Sequence, residues 1–206
     1  GTAPNNQRKI AQNTSGWMCT VYESGDHIWL CKSIDGGATW SQDLCVSKGI
    51  TGKMHKYPSV VVKDKTANIV WQAVSPSGTC NIYLSEYDIP TNTIRYPGFL
   101  SEIIASFNAG TSDFVSAPAI DAYSLVQRDV PLTDDFKQVV WKQPDGIKTA
   151  NKVQTTWSSI ATLPGTHGNC FYPSIVFGWS CYAVCWEDRN SESIQYIETT
   201  YGGGWA

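Results

Sequence analysis

The chain has 206 residues, of which 15 are basic and 18 acidic, so its formal net charge is −3. That length is enough for one sizeable core, but the near-neutral charge lacks the basic surface that binding to nucleic acid or to an anionic membrane requires. Nine tryptophans and ten tyrosines, with few amphipathic stretches rich in Ala and Leu, favour β-structure with aromatic packing between sheets and almost no helix.

The sequence also lacks several signals that would point to other classes of protein. No apolar run approaches the roughly 18 residues needed to cross a bilayer. The start Gly1-Thr2-Ala3-Pro4 has no basic and apolar signal segment, so the sequence is interpreted as a mature or excised chain. The seven cysteines show no CxxC or clustered Cys/His spacing, which disfavours zinc and haem. We therefore expect no membrane span, no nucleic-acid partner, no cofactor and no metal.

The first predicted element is a hairpin with its turn at Ser24-Gly25-Asp26. Cys19 and Cys31 lie symmetrically about Gly25, so they are expected to face each other across the two strands. A disulfide would form there if the two residues occupy a non-hydrogen-bonded pair, where the Cα atoms are about 4.5 Å apart. The alternative is two reduced, half-buried thiols. A bridge would favour an oxidising, extracellular compartment.

The hairpin is followed by Ser33-Ile34-Asp35-Gly36-Gly37-Ala38-Thr39-Trp40, which fits the pattern SxDxGxTW. Ser33 and Asp35 can bind backbone amides of their own turn, Gly37 permits a positive φ, and Trp40 can fold back over the turn. This pattern resembles the Asp-box of sialidase-like (BNR repeat) β-propellers, with Ser33, Asp35, Gly37, Thr39 and Trp40 as its structural residues. The resemblance implies architecture and little chemistry, because the box usually lies away from the active site in those families.

Four similar units follow one another along the chain. Three begin with a residue before proline, at Tyr57-Pro58, Ala117-Pro118 and Tyr172-Pro173. In each unit a later apolar run ends in an aromatic residue, and these residues are Tyr22, Trp71, Trp141 and Trp186. The repeat predicts an all-β propeller of four-stranded antiparallel blades. The chain is taken as one domain or propeller segment, 1–206, with units near 5–47, 55–100, 115–162 and 170–206.

The fourth unit shows no fourth strand, which leaves two interpretations of the ring. Residues from Asn5 to Ile10 could supply the outer strand and close a four-bladed ring. Alternatively, the chain is a segment of a six- to eight-bladed propeller. The second interpretation is favoured, because Asp-box propellers usually have more than four blades.

The long connection from Asp88 to Ser116 is the first place to expect a binding function, because long loops on a rigid scaffold often carry it. The residues singled out there are Arg95, Tyr96 and Phe99. His27, His55 and His167 are interpreted as surface polar residues, since no Ser or Cys nucleophile lies at a recognisable spacing.

A sialidase-type hydrolase would need a cationic clamp, an activated nucleophile and an acid. The four arginines, Arg8, Arg95, Arg128 and Arg189, are spread over the units, and the Arg-Ile-Pro motif of the catalytic family is not present. Glu23 and Glu187 follow the unit aromatics at equivalent positions and form a candidate pair of carboxylates, with Arg189 as a candidate cation. A solvated or structural role is favoured for all three.

The sequence therefore favours a non-catalytic, extracellular or cell-surface module that binds a glycan or a protein, or that builds a homo-oligomer or larger surface assembly. The alternative is an incomplete portion of a sialidase-type glycoside hydrolase. Converging arginines with a carboxylate and a Tyr hydroxyl would favour the second.

Overall fold

The computed structural model of the chain describes residues 8–95, 101–124, 135–178 and 181–200. These residues form seventeen β-strands and no helix, and therefore no helix long and apolar enough to span a membrane. The strands belong to four antiparallel sheets that follow one another along the chain. This arrangement confirms the predicted all-β fold of about four consecutive propeller blades.

The first two sheets hold the first nine strands. The first sheet has the order β1-β2-β3-β4, and its strands are β1 (Ile10–Gln12), β2 (Met18–Ser24), β3 (His27–Ser33) and β4 (Leu44–Cys45). The second has the order β5-β6-β7-β8, with β9 also paired to β7, and its strands are β5 (Met54–Lys63), β6 (Thr66–Val74), β7 (Thr79–Asp88), β8 (Thr93–Ile94) and β9 (Glu102–Asn108). The stretch predicted as one long loop after Asp88 thus contains two strands.

The last two sheets repeat this layout. The third has the order β10-β11-β12-β13, with β14 also on β12, and its strands are β10 (Ala119–Ser124), β11 (Asp135–Gln143), β12 (Gly146–Val153), β13 (Thr156–Trp157) and β14 (Ala161–Thr162). The fourth has three described strands in the order β15-β16-β17, namely β15 (Cys170–Phe177), β16 (Cys181–Asp188) and β17 (Ser193–Thr200).

The core lies between consecutive sheets. Successive residues of the second strand of each sheet contribute to it on alternate faces. Trp71, Trp141 and Trp186 are buried and each packs toward the preceding sheet. The residue before each tryptophan points the other way, so Val70 and Val140 pack toward the following sheet. Because strand side chains alternate between faces, one short apolar run supplies both neighbouring interfaces.

The first strand of each later sheet begins with an irregular backbone step before proline. Tyr57, Ala117 and Tyr172 have φ values of 56°, 47° and 52°, in the left-handed region that residues other than glycine seldom adopt. At Tyr57 and Tyr172 the pairing register also shifts, between Lys56 and Ser59 and between Phe171 and Ser174. At Tyr57 and Ala117 the backbone N–H of the irregular residue donates to a side chain of the preceding sheet.

The expected pairing of Cys19 with Cys31 is wrong. The hairpin turns on two residues, Gly25 and Asp26, with φ of 58° and 60°, which is the type I′ geometry. Cys19 is therefore opposite Lys32, and Cys31 is opposite Thr20. A shift of one residue places the thiols on opposite faces of the sheet, where both are free.

Ile10 pairs with Thr20 and so belongs to the first sheet, not to the outer edge of the fourth. Asn5 to Gln7, which belong to the stretch that could supply the outer strand, lie outside the described residues. Extensive contacts among the described strands join only consecutive sheets, so the first and fourth sheets do not close a ring directly.

Candidate functional site

One end of the four sheets gathers most of the side chains with functional potential. We call it the hairpin end, because the second strand of each sheet turns there into the third. The first strand of each sheet also begins there, as shown by the antiparallel pairing of Met54 with Val74. The residues that follow the unit aromatics lie at this end in all four sheets, and they are Glu23, Gln72, Lys142 and Glu187.

Two of these residues bind the start of the next sheet. Glu23 Oε2 accepts a hydrogen bond from the Tyr57 N–H at 3.1 Å. Gln72 Oε1 accepts one from the Ala117 N–H at 3.2 Å and another from the Ser116 N–H at 2.5 Å. Each side chain thus holds the left-handed residue that opens the following sheet, which satisfies backbone donors that the bulge leaves unpaired.

Lys142 and Glu187 depart from this pattern. Lys142 is buried; its Nζ donates to the Gly168 carbonyl and lies 4.1 Å from the Phe171 ring centroid. Burial lowers the pKa of Lys142. Glu187 Oε1 accepts from Arg189 Nε at 2.7 Å, and the Arg189 guanidinium carbon is 4.0 Å from the Phe171 ring centroid. Both cations are therefore engaged with an oxygen acceptor and an aromatic ring.

A group of polar and aromatic side chains from three sheets and one loop lies at the hairpin end. We define the hairpin-end cluster as Glu23, Tyr57, Asp113, Tyr172 and Arg189. The pKa of Tyr57 is raised by burial and by the charges of Glu23, Tyr172 and Asp113, and the Arg189 guanidinium carbon lies 5.9 Å from the Tyr172 ring centroid. Tyrosine rings can stack on the faces of sugars, and carboxylates and a guanidinium can hydrogen-bond sugar hydroxyls.

The described arginines do not converge. Arg8 Nη1 lies 3.2 Å from Asp121 Oδ1, Arg95 Nε lies 2.7 Å from Asp88 Oδ2, and Arg189 binds Glu187. Each arginine has its own carboxylate on a different element. Arg128 lies outside the described residues, as do Tyr96 and Phe99 of the predicted binding loop. Arg95 forms an ion pair with Asp88 across the turn after β7.

Sequence reasoning missed Asp121, which joins three sheets. Its Oδ1 accepts from Arg8 before the first sheet, and its Oδ2 accepts from the Phe177 N–H in the fourth at 2.8 Å. A lone acid within the apolar run Ala119–Ser124 was the available signal, because buried carboxylates are rare unless paired.

Sequence reasoning also missed a buried charge network between the second and third sheets. Glu86 Oε1 lies 3.3 Å from Lys137 Nζ and 3.0 Å from Lys152 Nζ, and Lys152 reaches Glu102 Oε2 at 2.7 Å. Both lysines are almost completely buried. Among the described residues the network pairs two cations with two anions, and it joins the second and third sheets at a place where both carboxylates are partly exposed.

His167, Cys170 and Asp188 are the described residues that could hold a metal ion, since their ligand atoms lie within 4.8 Å of one another. Hydrogen bonds already account for the trio. His167 Nδ1 accepts the Asn169 N–H at 3.2 Å, so Nε2 carries the proton toward Asp188, 3.3 Å away. Asp188 also caps its turn through the Asn190 N–H at 2.9 Å, much as Asp88 caps its own turn through Thr91. We assign the trio a structural role.

The interpretation of His55 as a surface residue is wrong. His55 is 1% exposed; its Nδ1 accepts from Trp71 Nε1 at 3.0 Å, and its Nε2 donates to the Ile50 carbonyl at 3.2 Å. Burial lowers the pKa of His55, which keeps the ring neutral. It is a core histidine between the first two sheets.

The turn from Ser33 to Trp40 lies at the end of the first sheet opposite the hairpin end. Asp35 accepts from the Thr39 N–H at 2.9 Å and from Thr39 Oγ1 at 2.6 Å, and Ser33 Oγ donates to Asp35 at 2.7 Å. Trp40 Nε1 donates to the Gly37 carbonyl at 3.1 Å. These contacts are internal to the turn and leave no group directed at the hairpin end.

Comparison with known proteins finds similarity in structure alone. No protein-family model and no curated protein matches the chain. Among solved structures, it is similar to a GH43 endo-arabinanase from Bacillus licheniformis, with 18% identity and a TM-score of 0.55 over 98% of this chain and 75% of that one.

Two further solved structures share the fold. A variant of the Aleuria aurantia lectin bound to Fucα1-6GlcNAc has 10% identity and a TM-score of 0.61 over 98% of this chain and 61% of that one. The Trypanosoma rangeli sialidase bound to sialic acid has 14% identity and a TM-score of 0.53 over 97% of this chain and 37% of that one. At such low identities the likeness concerns architecture, and it shows that the chain folds as consecutive blades of a β-propeller.

Proposed function

We propose that the chain is a non-catalytic carbohydrate-binding propeller module whose ligand binds at the hairpin-end cluster. The observation that carries this proposal is the grouping of Tyr57, Tyr172 and Asp113 with two further charged side chains at one end, while each described arginine is held by a separate carboxylate. Aromatic rings and hydroxyl acceptors without an arginine clamp suit sugar binding better than sialoside hydrolysis.

The structural neighbours support a carbohydrate ligand. Their names include a lectin bound to a fucosylated sugar, an arabinan-degrading enzyme and a sialidase bound to sialic acid. We extend that ligand class to this chain, along with an extracellular or cell-surface location and membership of the Asp-box group through Ser33, Asp35, Gly37, Thr39 and Trp40. The internal contacts of the turn support the last point.

A second candidate is a sialidase-type glycoside hydrolase. Tyr57 lies close enough to Glu23 for the carboxylate to raise its pKa, and a Tyr beside a carboxylate can act as a nucleophile. Against this, Glu23 also binds the Tyr57 N–H and so has a structural role.

The test replaces the exposed Asp113 with Asn and measures binding on a glycan array, followed by calorimetry on each glycan that binds. We expect Asp113→Asn to weaken affinity about tenfold, because a hydrogen bond to a charged carboxylate becomes a weaker one to a neutral amide. Asp64→Asn is the matched control, because Asp64 is exposed in the β5–β6 turn at the opposite end.

Two outcomes would overturn the proposal. Binding of no glycan by the wild-type chain would remove the function itself. Hydrolysis of a sialoside, an arabinan or a xylan that is lost in Tyr57→Phe would instead establish the hydrolase.

A further inference from the structure

The fourth sheet carries an apolar face that no described residue covers. Pairing register places Val176 opposite Ala183, Cys185 opposite Tyr196, and Glu187 opposite Ile194, so these side chains share one face. Val176, Ile194 and Tyr196 are 52%, 71% and 72% exposed. An exposed apolar patch of this kind marks an interaction surface in soluble proteins.

The other three sheets show what this face is built to contact. In every sheet, the residue just before the unit aromatic lies on the face that corresponds to this apolar face. In the first, second and third sheets that residue is Val21, Val70 and Val140. Each of these packs against the following sheet in the chain. Cys185 is the corresponding residue of the fourth sheet, and it is exposed. The uncovered face is therefore the one onto which a following blade docks.

Glu187 agrees with this assignment. It occupies the position of Glu23, whose carboxylate accepts the N–H of the left-handed residue that opens the next sheet. The Glu187 carboxylate binds Arg189 and is 36% exposed, at the edge of the uncovered face. A docking sheet could thus be held by the same contact that joins the first two sheets.

The complementary surface exists on the first sheet. In later sheets the aromatic residue of the second strand packs toward the preceding sheet, as Trp71 does. Tyr22 is its counterpart in the first sheet, where no described sheet precedes it. Tyr22 and its cross-strand partner Trp29 are half-buried on this face, and Ile10 is 49% exposed. Among the described residues, the open face of the first sheet therefore corresponds to the faces that pack on a preceding sheet, and the open face of the fourth sheet corresponds to the faces that pack on a following sheet.

We propose that the fourth sheet of one copy binds the first sheet of a second copy of this chain, head to tail. The contact continues the interface type that already joins consecutive sheets within the chain. It is heterologous, so each copy retains one open face of each kind until a ring closes or a filament grows.

The test compares three substitutions of exposed isoleucines by light scattering after gel filtration, over a range of concentrations. Ile194→Asp blocks the fourth-sheet face, Ile10→Asp blocks the first-sheet face, and Ile160→Asp is the control on an exposed position outside both. We expect wild type and Ile160→Asp to self-associate with rising concentration. Each blocked variant alone should be monomeric, and an equimolar mixture of the two should form a 1:1 dimer.

Circular dichroism of every variant checks that the fold is retained. A wild-type chain that stays monomeric at all concentrations would overturn the proposal. So would self-association of Ile10→Asp alone, since that result would mean that two fourth-sheet faces bind each other symmetrically. A mixture that stays monomeric would also contradict it.

Discussion

Asp35 accepts three hydrogen bonds within its own turn, from Ser33 Oγ, the Thr39 N–H and Thr39 Oγ1. All of them favour the charged carboxylate, and Thr39 followed by Ser33 lowers its pKa to about 2. Such local contacts can be read from the spacing of Ser, Asp and Thr along the chain, because the partners lie two and four residues apart. Asp121 could not be found in this way, since its partners are 113 and 56 residues away in sequence.

The depressed pKa of Asp35 predicts a pH-dependent stability. A carboxyl group with a folded pKa below its unfolded value, about 4, stabilises the fold above that value and loses this effect as pH falls toward 2. We expect Asp35→Asn to lower the melting temperature at pH 7, and the difference from wild type to shrink between about pH 4 and pH 2. Thermal melts over this range test it, with Asp64→Asn as control. A difference that is constant with pH would contradict the assignment.

At the scale of elements, the positions of the main strands could be predicted from the sequence, but the pairing register of the first hairpin could not. The repeated apolar runs located the main strands, since alternating burial follows directly from the sequence pattern. The hairpin register depended on whether the turn has two or three residues, and Gly25 with Asp26 in a type I′ turn decided it. The strand at Glu102–Asn108 was missed because Gly and Pro residues nearby suggested a continuous loop.

The charge network between the second and third sheets should be sensitive to its anions. Glu86 is the shared partner of Lys137 and Lys152, and the lysines more than offset the effect of burial, so the pKa of Glu86 is lowered. Glu86→Gln leaves buried cations with less compensation, and we expect a loss of about 3 kcal/mol in the free energy of unfolding. Chemical denaturation measures it.

A double substitution separates charge from packing in this network. Lys137→Met removes the fully buried cation together with its desolvation cost. We expect Glu86→Gln with Lys137→Met to recover much of the stability that Glu86→Gln loses alone, since apolar replacements of buried ion pairs are often near neutral. Strictly additive losses would show that the ions do not interact.

At the scale of the molecule, the recurrence of a pre-proline start and a buried aromatic was enough to predict consecutive blades. The hairpin-end cluster was only partly predictable. Of its members, Glu23 and Arg189 were singled out, whereas Tyr57, Asp113 and Tyr172 were not, because their proximity depends on how separate sheets are placed relative to one another. Sequence spacing carries no information on that arrangement.

Asp121 is expected to matter for the cohesion of the whole assembly of sheets. Asp121→Ala removes the partner of Arg8 and the acceptor of the Phe177 N–H. We expect faster hydrogen exchange in β1 and β15 and a loss of about 3 kcal/mol in stability, because a buried donor and a guanidinium lose a charged acceptor. Exchange measured by mass spectrometry tests this, and unchanged protection of both strands would contradict it.

Because extensive contacts among the described strands join only consecutive sheets, the energetics of these sheets approximate a one-dimensional array. The second and third sheets each have two neighbours, whereas the first and fourth have one, so opening should begin at the two ends and the middle pair should open last. Asp121 breaks this nearest-neighbour rule, since it links the third sheet to the segment entering the first as well as to the fourth. One carboxylate thereby raises the cooperativity of an array whose outer members would otherwise detach independently.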